Sequence, residues 1–408
     1  MKKKQISEKW SKLEDSLLLQ KCNKEKVISS LKSLYDIYEP SLLGWLGGLF
    51  DSDIGGFYYS NSARDGEKFF PDIESTGQAI GILEVSGAIS SYRDIPESVR
   101  SKIACYVCSC EDPQSGYFYN QQWSKEDVDK NYARIGRDSR WAVDLAQMCN
   151  FEISCPTVFS KLRSGNTEAI PEYLLSETNF NKYLDSFNWT TDVYHSIHHI
   201  ASQFDQIRDA GLEKIALNHL TSIQNKETGL FGTEQLDDVT SVKVLEGVVS
   251  FFKALNKPIP NAEKIVSYVL SVASRCAAKD MSYFSSVWGV VAKVVRSTIE
   301  LNGKNGLAEA EKILLDHMQD IENTILYTIE ELKRFKKPDG SFSYLEQSSS
   351  HMSQGMIIAK ENSFEGDVNG TILAVSIPNN IVTLLSLKDD FIPIYSFDDF
   401  KMFLKNVE

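Results

Sequence analysis

The 408-residue sequence predicts an all-α fold, a double ring of antiparallel helices of (α/α)6 type with short β-hairpin turns. Three observations carry this expectation. Long stretches place apolar residues at helical spacing, whereas strand-like alternation is scarce. Six segments share one kind of start, small or hydroxyl residues and then an apolar run, led in five of them by a carboxylate. Four polar turns containing glycine recur along the chain.

The first shared start is Asp72-Ile73-Glu74-Ser75-Thr76-Gly77. The second is Arg137-Asp138-Ser139-Arg140-Trp141, the third Trp189-Thr190-Thr191-Asp192-Val193-Tyr194-His195, and the fourth Asp237-Asp238-Val239-Thr240. Met281-Ser282-Tyr283-Phe284 is read as a fifth start without an acid, and Glu365-Gly366-Asp367-Val368 as the sixth. Between them lie more amphipathic, charged stretches: 25–38, 96–111, 207–225, 261–278 and 306–336. Alternation of apolar, small-residue helices with charged ones suits a two-layer ring, in which only the outer helices face water.

The repeated turns are Asp53-Ile54-Gly55-Gly56-Phe57-Tyr58-Tyr59, Asp112 to Tyr119, Asn225 to Gly232 and Lys337 to Tyr344. Each sets a glycine ahead of aromatic or apolar residues. Glycine supplies the positive φ of a tight turn, and the aromatics cap the end of the helix array. One domain over residues 1–408 is expected, with 1–24 an extension or a first outer helix.

Six helical hairpins joined by such D-x-x-G-G-F-like turns resemble the six-hairpin (α/α)6-toroid superfamily. Its members include six-hairpin glycosidases, unsaturated uronyl hydrolases, sugar epimerases, and the terpenoid cyclase and prenyltransferase barrels. The resemblance spans nearly the whole chain. It implies a fold and a ring mouth for chemistry, and leaves the reaction open. Gln235-Leu236-Asp237-Asp238 departs from the D-x-D-D acid of terpenoid cyclases, because Gln235 stands where the first Asp is needed. A carbohydrate-active enzyme, a glycoside hydrolase on an oligosaccharide or uronic-acid-containing sugar, is the favoured expectation. A terpenoid or prenyl-diphosphate enzyme and a non-catalytic binding toroid are the alternatives.

Composition excludes other classes. The net charge of -13, from 43 basic and 56 acidic residues, repels phosphate backbones, so no nucleic-acid partner is expected. Residues 41–50 are too few to span a bilayer and no basic amphipathic stretch suggests a membrane surface. Acidic and basic residues from Glu8 to Asp15 break any signal-peptide h-region, so a cytoplasmic protein with reduced thiols is expected. Cys105, Cys108 and Cys110 lack a second pair at zinc-ligand spacing and are read as small apolar helix residues, without metal. No phosphate-cradling or nucleophile-elbow motif occurs, and no cofactor is expected.

Parallel inner helices would bring their acidic starts to one mouth. Asp72, Glu74, Asp138, Asp192, Asp238 and Asp367 are therefore the candidate catalytic acids, for proton donation and base or nucleophile work. Helix capping is the competing explanation for each. His195 lies one turn beyond Asp192 and is a candidate acid–base partner; His198 and His199 lie nearby. For substrate binding, Tyr58, Tyr59, Trp141, Trp189 and Trp288 offer rings to stack on a sugar, or to pack in the core. Arg64, Arg134, Arg137 and Arg140 sit near the acidic starts and suit a carboxylate held bidentately, or neutralise the acids.

Overall fold

The computed structural model describes residues 2–232, 236–277, 279–388 and 390–407. Gln235 lies outside the described residues. Regular structure is overwhelmingly helical. In chain order the helices are α1 (Lys2–Glu14), α2 (Lys24–Tyr35), α3 (Ser41–Gly47), α4 (Asn61–Arg64), α5 (Ile73–Val85), α6 (Glu97–Ser109) and α7 (Lys125–Asp129). Next come α8 (Tyr132–Cys149), α9 (Val158–Ser164), α10 (Glu177–Asp185), α11 (Val193–Ser202), α12 (Phe204–Asp209), α13 (Glu213–Ser222) and α14 (Asp238–Ala254). Then follow α15 (Ala262–Ala273), α16 (Met281–Asp316), α17 (Met318–Phe335), α18 (Val368–Ser386) and α19 (Phe397–Val407). A two-stranded hairpin, β1 (Met352–Ser353) and β2 (Met356–Ile357), pairs Met352 with Ile357 and Ser353 with Met356.

Six helices pack in a closed circuit: α5 on α8, α8 on α11, α11 on α14, α14 on α16, α16 on α18, and α18 back on α5. Five of the six begin at or within a few residues of the predicted starts, and α8 begins at Tyr132, ahead of its predicted start at Arg137. They are apolar and small-residue rich because neighbours cover them on several sides; residues Ile73 to Leu83 of α5 are all buried. Small residues set the close approaches. At Gly77 of α5 a Cβ would lie 2.3 Å from the Trp141 ring of α8. Other helices pack against the circuit, α6 on α8, α15 on α16, and α1 and α2 on α18.

Carboxylates cap four of the six. Asp72, Asp237, Asp280 and Asp367 accept from the backbone N–H groups of Ser75, Thr240, Tyr283 and Gly370. The fifth start, expected to lack an acid, is thus capped by Asp280, one residue before the segment singled out. Asp138 is not at a start: Asn131 caps α8, which begins at Tyr132, and Asp138 lies inside the helix. Asp192 holds the cap position of α11, but its side chain makes no capping bond.

The charged stretches are shorter than expected. Residues 306–336 form two helices, the end of α16 and α17, broken at His317. α16 itself turns at Gly303, where φ is +54° and ψ is -128°.

The four repeated turns each close with a single antiparallel bridge: Phe50 with Phe57, Glu111 with Phe118, Gln224 with Phe231, and Lys336 with Phe342. Gly55, Gly116, Gly229 and Gly340 all have positive φ, from +78° to +94°. In three of them the glycine N–H donates at 2.8 Å to the carbonyl four residues earlier, on Asp51, Asp112 and Asn225. Those side chains also accept backbone N–H bonds from within the turn. The true equivalent of Asp112 is therefore Asp51, not Asp53. The β1–β2 hairpin is an addition that the turn pattern does not announce.

α18 is long and apolar enough to cross a membrane, with mean hydropathy 1.4, and 61% of that window is buried inside the fold. All seven cysteines are free; Cys105 is exposed and Cys110 buried.

Candidate functional site

α5 and α8 meet through a buried charge cluster. Arg134 is wholly buried. Its guanidinium donates to Asp72 Oδ1 at 3.2 Å, to Glu74 Oε2 at 2.9 Å and to Asp138 Oδ2 at 2.8 Å. The Trp123 ring lies 4.6 Å from the guanidinium carbon. Asn120 donates to Asp138 at 2.8 Å and accepts from the Ile73 N–H at 2.8 Å. Glu74 also takes the Nε–H of Arg137, the Ser353 hydroxyl at 3.1 Å and the Gln78 amide at 3.2 Å.

Three carboxylates around two guanidinium groups, of which Arg137 reaches only Glu74, leave a charge deficit, and each acid answers according to its neighbours. Burial pushes Asp138 up to about 7, against the pull of Arg134. Burial also raises Asp72. Burial alone would raise Glu74 too, but Arg137 and Arg134 together hold it below the ordinary carboxylate range. Three of the predicted acids are therefore brought together, as a packed ionic core without exposed carboxylates.

The other predicted residues scatter. Asp367, buried, is pushed up to about 6 by burial while accepting from the N–H groups of Gly370 and Tyr344. Asp238 accepts the Tyr268 hydroxyl at 2.7 Å, in contact with α15. Asp192 pairs with the His195 ring at 2.5 Å, both half-exposed or more. Tyr58 donates to Asp51 at 2.8 Å and Tyr59 is buried. Trp288 is a core residue bonded to Thr328 at 3.0 Å, and Trp189 packs against His219 with ring centres 4.5 Å apart and the planes tilted by 54°. Trp141 packs on Gly77. Arg64 embraces Asp65, and Arg140 lies between Asp144 and Asp205 at 3.8 and 3.6 Å. Among the described residues no group of three His, Cys, Asp or Glu is placed to hold a metal ion.

A cavity of about 360 Å³ opens beside the ionic core. It is small for a ligand site, near the low end of the roughly 300–1,000 Å³ range. Five of the six circuit helices line it: Arg137 of α8; Tyr194, His195 and His198 of α11; Lys243 and Glu246 of α14; Ser282, Ser285 and Ser286 of α16; Asn369 and Leu373 of α18. Tyr344 and residues 352–355 of the β1–β2 hairpin complete the wall. Glu74 and Asn369 tie the cavity to the ionic core, since Gln78 bonds both side chains at 3.2 Å. The hairpin is fastened by Ser353 on Glu74, by Asn131 on the Gln354 carbonyl at 2.5 Å, and by Trp123 on the Ile357 carbonyl at 2.9 Å.

Of the predicted site residues, Arg137 and His195 line this cavity. Sequence reasoning passed over Lys243, Glu246, Asn369 and the three serines. A signal was present. Tyr194 and His198, Lys243 and Glu246, Ser282 with Ser285 and Ser286, and Asn369 and Leu373 each recur at three or four positions on otherwise apolar helices. Such spacing marks one inward face.

The chain matches no protein-family model, no curated protein and no solved structure.

Proposed function

We propose that this chain is an (α/α)6 toroid of the six-hairpin superfamily and a carbohydrate-active enzyme that takes its sugar in the cavity ringed by α8, α11, α14, α16 and α18. The closed helix circuit and the recurring glycine turns support the toroid reading. The observation that carries the sugar reading is the lining: three serine hydroxyls on α16, the amides of Gln354 and Asn369, the Glu246 carboxylate, two tyrosine rings and several basic side chains, where an isoprenoid would need a greasy wall. Free thiols throughout fit a reducing compartment, and we place the protein in the cytosol on that ground.

Glu246 is the one carboxylate lining the cavity among the described residues. It pairs with Lys293, leaving Oε2 buried without a hydrogen-bond partner. A hydrolysis run by two carboxylates about 5–10 Å apart therefore has one of its pair here. The histidines that line the same cavity can also move a proton, so we assign acid–base work to Glu246 with His195 or His198.

The test is calorimetry on the full chain against neutral and acidic oligosaccharides and farnesyl diphosphate, repeated with Ser285→Trp to fill the cavity. Sugar binding that Ser285→Trp abolishes supports the reading. Binding of farnesyl diphosphate alone, or of no sugar, overturns it.

A further inference from the structure

We infer that Arg137, His198 and Lys243 form a subsite for an oxyanion, a carboxylate or phosphate, carried by the ligand of the central cavity. The inference rests on the sugar-site reading for its location, and adds the chemical class that reading leaves open.

The three side chains come from three helices, α8, α11 and α14, and line one cavity. Each is part-anchored in a way that leaves donors free. Arg137 gives its Nε–H to Glu74, and its two terminal nitrogens donate to nothing among the described residues. That leaves one edge of the guanidinium fork, the geometry that grips two oxygens of one anion. Lys243 spends one donor on Asp280 at 3.0 Å and lies 4.5 Å from the centre of the Tyr194 ring. His198 packs edge-on to the same ring at 4.3 Å, and neither of its nitrogens has a hydrogen-bond partner among the described residues.

The side chains that act most strongly on His198 do so in one direction, although the Glu246 carboxylate lines the same cavity. Burial first, and then Arg137, Lys243, His195 and His199, together lower its pKa to about 3. Of the carboxylates near the cavity, Glu246 is paired with Lys293, while Asp280 takes one donor of Lys243 and Glu74, shared with Arg134, takes one donor of Arg137. Donors left over after these pairings, gathered on three helices of a chain of net charge -13, are not a background property of its surface. An oxyanion seated there would satisfy the free edge of Arg137 and the remaining donors of Lys243, and would favour protonation of His198. Ser285, Ser286 and Asn369 on the neighbouring helices would then meet the hydroxyls of the same ligand.

Calorimetry on the full chain with inorganic phosphate, glucuronate and glucose tests this, together with nuclear magnetic resonance titration of the His198 ring. Phosphate or glucuronate should bind at least tenfold more tightly than glucose. Arg137→Gln and Lys243→Gln should each erase most of that preference, and Arg137→Lys should restore only part of it. In the parent chain, saturating phosphate should move the His198 titration upward. Acidic probes binding no better than glucose, or a His198 titration unmoved by phosphate, overturns the inference. Glucose binding without acidic preference sinks the oxyanion subsite and leaves the sugar reading standing. Phosphate binding with no sugar bound does the reverse. Should the substituted proteins fail to fold, the His198 titration in the parent chain decides alone.

Discussion

Arg134 donates to Asp138, one turn further along α8, from Nε to Oδ2 at 2.8 Å, and both side chains are wholly buried. The same guanidinium serves Asp72, the cap of α5, and Glu74 within it, so with Arg137 on Glu74 it ties α8 to α5. Replacing it by Met should leave three buried carboxylates with Arg137 alone. The loss expected is about 3–5 kcal/mol, as for breaking a buried pair from one side. Because protonation relieves stranded carboxylates, the loss at pH 5 should be smaller than at pH 8. Urea unfolding at the two pH values checks this, and an equal loss at both would show that the cluster is not ionic.

Asp138 gives the complementary pH dependence. Its folded pKa, raised by burial to about 7, lies above the ordinary value near 4. A carboxyl raised on folding adds stability below its unfolded pKa and loses it as pH climbs through the folded one. Asp138→Asn cannot titrate. The substitution should cost stability at pH 4, by disturbing the Arg134 and Asn120 bonds, and the cost should shrink between pH 4 and 7. A cost that grows over that window would contradict the sign assigned here.

Gly77 and Trp141 fix how closely α5 and α8 approach. A methyl at Gly77 would sit 2.3 Å from the indole, which must move. Gly77→Ala should destabilise by about 1–3 kcal/mol, the usual range for overpacking. Trp141→Leu should recover part of it, and the double-mutant cycle should show coupling of at least about 0.5 kcal/mol. Additive effects would mean that the ring is free to leave.

Much of the helical pattern was legible because it is local. The glycine turns repeat in sequence, and the spacing that carries Asp51, Asp112 and Asn225 to their turn glycines is short. The misplaced register, Asp53 for Asp51, came from matching residue type where the hydrogen bond to the glycine N–H decides. The site was less legible. Asp72, Glu74 and Asp138 were read as a mouth, because sequence shows that acids converge but not that an arginine will be buried among them. Lys243 and Glu246 were overlooked because a charged residue on a long helix reads as solvent-facing until its neighbours are known. Asp280 was missed by one residue, since the helix start was set at the first apolar position.

Asp280 links capping to the cavity, and two substitutions separate its roles. Its side chain accepts the Tyr283 N–H at 3.2 Å, which caps α16, and takes the Lys243 ammonium at 3.0 Å. Alanine removes both and should cost about 1 kcal/mol for the cap, with a further loss because Lys243, only 14% exposed, keeps the Tyr194 ring but no carboxylate. Asparagine is as good a cap as aspartate but carries no charge, so Asp280→Asn should retain most of the stability. Freed of its carboxylate, Lys243 should then offer all its donors to the cavity, next to Arg137 and His198. Phosphate should accordingly bind Asp280→Asn more tightly than the parent chain, with a steeper dependence on salt because one more unpaired charge is in play. Chemical denaturation ranks the three proteins for stability, and calorimetry at two salt concentrations measures the phosphate. If asparagine and alanine cost the same, the cap is not what Asp280 contributes. If phosphate binds Asp280→Asn more weakly than the parent, Lys243 is held in its binding position by Asp280 rather than restrained from it.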